Sequence, residues 1–132
     1  MKKKVKPHAT VHAGQIGVVL VMADLIRNGF EVAVPIIDTG FDLIAYEGSQ
    51  YWRVQVKSHH KPKQNLVRTR RSATGEGQRI YDKSVIDAFA FVCLESGDVL
   101  VASVNDLRGK TGITLTSSFL TNTETLRDIE SH

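Results

Sequence analysis

The chain has 132 residues, 42% hydrophobic and 23% charged. That suits one domain with a real core and excludes two full-sized domains or an unstructured chain. Lys and Arg number 17 against 14 Asp and Glu, a net charge of +3, which permits a nucleic-acid partner without requiring one, because clustering of charge decides.

The lone cysteine, Cys93, sits in an apolar run and reads as a small core residue. A single cysteine makes no internal disulfide, no apolar run has the length of a membrane span, and the basic start MKKKVKPH lacks the apolar segment of a signal peptide. A cytoplasmic setting is therefore expected. The N-terminal lysines read equally as a flexible arm or as solubilising charge.

In chain order, 13–28 has helical spacing, with Ile16, Val19, Leu20, Ala23 and Ile26 on one stripe. Val18, Val21, Met22 and Leu25 make much of the remaining surface apolar, so the helix is expected to be covered on more than one side. Asn28-Gly29 is a stop signal. FEVAVPII (30–37) reads as a strand that Pro35 places at an edge or an end. After the Asp38-Thr39-Gly40 turn, FDLIAY and YWRVQVKS read as two further strands joined by a hairpin loop at Glu47–Gln50. The three strands are expected to be sequential and antiparallel.

The run 59–78, HHKPKQNLVRTRRSATGEGQ, has few apolar residues and reads as a long loop or protruding hairpin. YDKSVIDA suggests a short helix. AFAFVCLE and DVLVASV suggest two strands turning at Ser96-Gly97-Asp98. A loop over 105–112, a short strand over 113–116 and a polar, helical or frayed tail from Asn122 complete the reading. No internal repeat is visible. The order predicts an α/β or α+β sandwich with a mixed sheet.

Within YWRVQVKS, residues two apart share a face. Trp52, Val54 and Val56 go to the core, and Gln55 and Lys57 point into a cleft. Counted outward from the Glu47–Gln50 turn, Asp42 and Lys57 lie at similar distances, so a carboxylate, an amide and an ammonium converge at one sheet end. Oxygen donors of this kind hold Mg²⁺, and a neighbouring lysine orients or deprotonates a water or neutralises charge on a phosphate. That is a layout for metal-assisted phosphodiester hydrolysis. A turn-capping Asp42 in a plain ion pair with Lys57 is the other reading of the same residues.

The ordered set GQIGVVLVMADLIRNGFEVAVPIIDTGFDLIAY, YWRVQVKS and YDKSVIDAFAFVCLESGDVLVASVNDL resembles the PD-(D/E)XK nuclease superfamily, the restriction-endonuclease-like fold, over 13–107. It is most similar to small bacterial and phage members of the group I intron homing type. The resemblance implies an α/β fold with a mixed central sheet flanked by helices, occupying 1–132 as one domain. It also implies a metal-dependent DNA endonuclease. Asp42 matches the metal-binding aspartate, Gln55 the position usually held by Glu or Asp, and Lys57 the catalytic lysine, with the Val56 carbonyl as a further metal ligand. Mg²⁺, with Mn²⁺ in substitution, is the implied cofactor, and DNA and a second or further copy of the chain (a dimer or tetramer) are the implied partners.

One departure stands out. The family's first helix carries a pattern like Gly-Glu-x-Gly-Glu. Here the stretch is Gly14-Gln15-Ile16-Gly17-Val18, with valine where a glutamate is expected. Asp42 is left as the one clear carboxylate, unless Gln15 or His12 compensates. A catalytically impaired nuclease fold that only binds DNA is therefore the alternative, and a protein–protein module on the same fold is a third.

Lys61, Lys63, Arg68, Arg70 and Arg71 follow Lys57 with no intervening acid, as phosphate contacts or as a solvated loop. His59 and His60 are adjacent, point oppositely on extended chain, and read as loop residues. The GEG of 75–77 reads as a flexible turn, Tyr81 as a packing residue. Asp87 and Glu76 are further acids within reach of the site in principle, with no geometric argument for either.

Overall fold

A computed structural model describes residues 9–37, 40–60, 67–68, 70–73, 77–80, 85–107, 112–113 and 120–131. Helix α1 (Ala9–Arg27) is followed by β1 (Glu31–Ala33), β2 (Leu43–Glu47) and β3 (Gln50–His59). Short strands β4 (Val67–Arg68), β5 (Arg70–Ala73) and β6 (Gly77–Ile80) come next, then β7 (Ala88–Cys93), β8 (Val99–Ser103) and β9 (Gly112–Ile113). Two 3-10 segments, Val104–Leu107 and Thr123–Asp128, flank β9 in sequence.

The central sheet has the order β1-β2-β3-β7-β8. β1, β2 and β3 are antiparallel neighbours, β3 and β7 run parallel, and β7 and β8 are antiparallel. The mixed sheet predicted from sequence is therefore present. β7 is buried at every position, as an interior strand covered on both faces must be. One face carries Val54, Val56, Ala88, Ala90, Val92, Val99 and Val101 beneath α1. Ile86, Phe89, Phe91, Ala102, Val104 and Leu107 form a second apolar cluster.

The sequence-based boundaries shift in several places. The first strand shrinks from 30–37 to Glu31–Ala33. Phe30 sits in the core at 2% exposure, T-shaped against Trp52, while Ile36 and Ile37 are exposed. The hairpin reading of part of 59–78 holds, since β5 and β6 pair with each other, and β4 pairs with β9. Most of the helix expected at YDKSVIDA lies outside the described residues, and Val85–Asp87 is not helical. The loop expected from Asn105 begins as a 3-10 segment.

The tail is docked rather than frayed. Thr123 and Leu126 are fully buried. The Trp52 Nε1–H donates to the Ile129 carbonyl at 2.7 Å, and Arg127 reaches Glu47 at 2.7 Å with its guanidinium 4.2 Å from the Phe30 ring centre.

The largest correction concerns α1. Its buried face is Gly17, Val18, Val21 and Leu25. Of the stripe read from the sequence, Leu20 packs against the core, while Ile16, Val19 and Ile26 face outward at 54%, 53% and 57% exposure, so that side is not covered as expected. Gly17 explains the choice. A Cβ there would lie 1.9 Å from Ser58 Oγ, 3.2 Å from Ser58 Cβ and 3.1 Å from Val92 Cγ1, so the helix backbone rests directly on β3 and β7. Gly17→Ala is expected to destabilise the fold by about 1–2 kcal/mol, the overpacking cost exceeding alanine's gain of about 1 kcal/mol in helix propensity. Urea denaturation checks the sign, and a stabilised variant would contradict the close-approach argument.

Candidate active site

β3 positions the site. Its residues alternate, with Trp52, Val54 and Val56 buried and Arg53, Gln55 and Lys57 partly exposed, so the predicted facing of this strand is observed. Gln55 is in register with Phe89 of β7, and Lys57 with Phe91. The polar pair thus emerges beside an apolar strand that limits water around it.

Asp42 lies just before β2. The ladder pairs Leu43 with Val54, and continuing it would set Asp42 opposite Gln55. The count from the turn, which made Asp42 level with Lys57, is corrected by this register. Beyond Leu43 the ladder changes. Gly40, buried with φ +102°, takes a backbone conformation that a β-carbon disfavours and bends the chain ahead of Asp42. The Asp42 N–H donates to the Val54 carbonyl at 2.9 Å. Its Oδ2 accepts the Val56 N–H at 2.8 Å. The carboxylate therefore takes the place of a ladder carbonyl at the point where β2 leaves β3.

In an antiparallel pair a residue's N–H and C=O point to the same neighbour. The Val56 carbonyl accordingly shares the side on which the Asp42 carboxylate sits. Lys57 follows at once. Burial pushes its ammonium below the usual lysine range, and the Asp42 carboxylate pulls it part of the way back. The structure thus brings Asp42 into the field of Lys57, with Gln55 and Val56 between them on β3.

A cleft of about 380 Å³ opens at this end of β3, lined by Ala13, Gly14, Val56, Lys57, Ser58, His60 and Leu94. It lies between the early turns of α1 and the ends of β3 and β7. Gln15 and His12 are exposed on the same helix, and Val18 belongs to the core at 8% exposure. The valine that replaces the expected glutamate thus serves packing.

Among the described residues no group of three or more His, Cys, Asp or Glu is arranged to hold a metal. What Asp42, Gln55 and Val56 offer is all oxygen, without thiolate or imidazole, and this donor chemistry fits a hard cation.

One residue was misread from sequence, and one left open there finds a partner. His59 is the last residue of β3, not a loop residue. It is buried at 7% exposure, and its Nδ1 has no hydrogen-bond partner among the described residues. Burial, then the neighbouring His60, pushes it below the usual histidine range. Asp87 does have a geometric role. Its Oδ2 accepts from the Arg53 N–H at 2.8 Å and Arg53 Nε at 3.0 Å, and its Oδ1 from Arg53 Nη2 at 3.1 Å. Only a contact map would have revealed this pair. The core reading of Cys93 holds, at 3% exposure. Arg68 falls on β4, and Arg70 and Arg71 on β5, by backbone placement. Lys61, Lys63, Glu76 and Tyr81 lie outside the described residues.

With this geometry in place, comparison with known proteins gives a consistent result. Characterised protein sequences give no match. A solved bacterial homing endonuclease, I-Ssp6803I, superposes with a TM-score of 0.71 at 22% identity, over 83% of this chain and 80% of that one. At that identity the likeness establishes the fold, restriction-endonuclease-like, and not the chemistry. The sequence model of the PD-(D/E)XK endonuclease family matches residues 8–120. That span covers the helix, the bend at Asp42 and the whole of β3, and on it the chain belongs to the PD-(D/E)XK endonuclease family.

Proposed function

We propose that the protein is a metal-dependent endodeoxyribonuclease, homing- or resolvase-like, that hydrolyses phosphodiester bonds in DNA. The observation that carries this reading is the Asp42 carboxylate held on the Val56 N–H at 2.8 Å, next to a partly buried Lys57 whose charge it feels. Asp42, the Gln55 amide oxygen and the Val56 carbonyl would hold Mg²⁺, with Mn²⁺ able to substitute. The bound ion supplies an acidified water and polarisation of a phosphoryl oxygen. Lys57 Nζ, screened by β7, donates hydrogen bonds to a non-bridging phosphate oxygen or to the attacking water and opposes the charge that builds in the transition state. Lys61, Lys63, Arg68, Arg70 and Arg71 neutralise neighbouring phosphates and make affinity fall with salt. Cutting both strands requires a second copy of so small a chain, so a dimer or tetramer is the working form.

A binding-only protein is the second reading, favoured by Val18 lying in the core and by Asp42 being the one carboxylate of this set. One experiment separates them. Supercoiled plasmid and branched DNA are incubated with Mg²⁺ or Mn²⁺ and the parent or Asp42→Asn protein, with gel-shift binding read in parallel. Cutting by the parent alone, with binding kept in both, supports the nuclease. Salt-dependent binding without cutting in either metal supports the binding protein. Neither cutting nor binding would sink both.

A further inference from the structure

We propose that the exposed apolar stripe of α1 is a two-fold interface with a second copy of this chain, the two helices packing antiparallel about Val19 and Ala23. The proposal deepens the oligomer named above but rests on α1 alone, and it stands or falls whether or not the protein cuts DNA.

The helix is apolar on both sides. Between Ala9 and Ala23 its one titratable residue is His12. Gly17, Val18, Val21 and Leu25 go to the core, and yet the opposite face carries Ile16 at 54%, Val19 at 53% and Ile26 at 57% exposure. A helix apolar all round is normally covered all round. The outward residues His12, Ile16, Val19, Ala23 and Ile26 are spaced four, three, four and three apart, the repeat by which one helix seats its knobs in the holes of another. The inner face carries the same spacing in Val18, Val21 and Leu25, but it is already seated on β3 and β7, with Gly17 against Ser58.

The stripe complements itself in one orientation. About a two-fold axis between positions 19 and 23, Val19 meets the partner's Ala23 and Ile16 meets the partner's Ile26. Large faces small at the centre, and branched side chains fill the flanks. Gln15 comes opposite the partner's Arg27, an amide oxygen for a guanidinium, and the helix dipoles oppose. Parallel packing would instead stack Ala23 on Ala23, leaving a void, and set Arg27 beside Arg27. No charge lies on the seam, which disfavours a nucleic-acid occupant.

Four helical turns give a footprint of roughly 22 Å by 10 Å. Val34, Ile36 and Ile37, on the chain leaving β1, are exposed as well, at 53%, 102% and 72%. The helical contact alone is smaller than the roughly 800 Å² per partner of a tight complex, so the dimer is expected to be micromolar.

Sedimentation over about 5–500 μM, a range bracketing such an affinity, should show the parent passing from monomer to dimer. Val19→Glu should weaken dimerisation at least about a hundredfold, because its charge is buried at the seam, with the helical circular dichroism unchanged. Cross-linking fixes the register. An oxidised mixture of Val19→Cys and Ala23→Cys chains should give a disulfide-linked heterodimer faster than either variant alone, with buried Cys93 not competing. A parent that stays monomeric throughout, leaving the face to some other occupant, would overturn the proposal. So would a dimer indifferent to Val19→Glu, or Val19→Cys linking to itself as fast as the mixture. Should Val19→Glu fail to fold, the cross-linking result decides.

Discussion

Lys57→Met is expected to lower metal-dependent DNA cleavage by about a thousandfold or more, while the folded protein keeps or gains thermal stability. The two halves share one cause. Burial holds the Lys57 ammonium below the usual lysine range, and Asp42 offsets only part of that cost. A group held this way is poised to meet a phosphate, because poor solvation strengthens its attraction to developing negative charge. The same poor solvation makes the charge a burden to the empty protein. Methionine keeps the unbranched length and removes the charge, so the burden goes with the function. Arginine restores charge but replaces a compact ammonium by a planar fork, and Lys57→Arg is expected to recover little. The linkage has a definite sign. The unfolded chain keeps the lysine proton to higher pH than the folded one, so stability rises as pH climbs from the folded pKa towards the unfolded value, and Lys57→Met removes that rise. Plasmid cleavage, gel shift and thermal melts at two pH values read all of this. A variant that cuts like the parent sinks the catalytic role; one that melts well below the parent sinks the burial argument.

Much of this arrangement was legible because local rules and tertiary demands agree on β3 and β7. Trp52, Val54 and Val56 alternate with Arg53, Gln55 and Lys57, and AFAFVC is apolar throughout, so facing and centrality follow directly. Helix α1 shows where such rules stop. Two apolar stripes have equally good helical spacing, Ile16, Val19, Ala23 and Ile26 on one side and Val18, Val21 and Leu25 on the other. What selects the other is Gly17, whose missing β-carbon lets the helix sit on Ser58 and Val92, and a close approach between distant segments leaves no trace in hydrophobic period. Asp42 was found by its place in the family pattern, but its level on β3 was not. The ladder from Glu47–Gln50 runs unbroken to Leu43–Val54, so its continuation puts Asp42 level with Gln55, and a loose count from the turn carried it two residues too far, to Lys57. The docked tail was hidden by its polar composition, because Arg127, Thr123 and the Ile129 carbonyl are satisfied by partners on Glu47, Asp24 and Trp52 far away in sequence.

Asp87→Ala is expected to cost about 3–5 kcal/mol of folding stability, the range for removing one partner of a buried ion pair. The side chains of Arg53 and Asp87 are 12% and 8% exposed, so water reaches them poorly. Asp87 accepts the Arg53 backbone N–H as well as two guanidinium N–H groups, and returns its own N–H to the Arg53 carbonyl at 2.9 Å. Its loss leaves a charge and a backbone donor without those two oxygens, where β3 and β7 are joined in parallel. Asp87→Asn keeps an oxygen for the backbone donor and gives up the ionic part, and should cost less. Arg53→Met added to Asp87→Ala should recover part of the loss, since the stranded guanidinium goes with it, and a double-mutant cycle in urea measures that coupling. The pair is two strand positions from Gln55 and anchors the stretch that delivers Lys57, so the defect belongs to folding rather than chemistry. Below the variant's unfolding midpoint, the activity per folded molecule should match the parent's. A cost under about 1 kcal/mol, the scale of an exposed pair, would mean that water solvates the site after all. A normal stability with lost cleavage would move Asp87 from the scaffold of β3 into its chemistry.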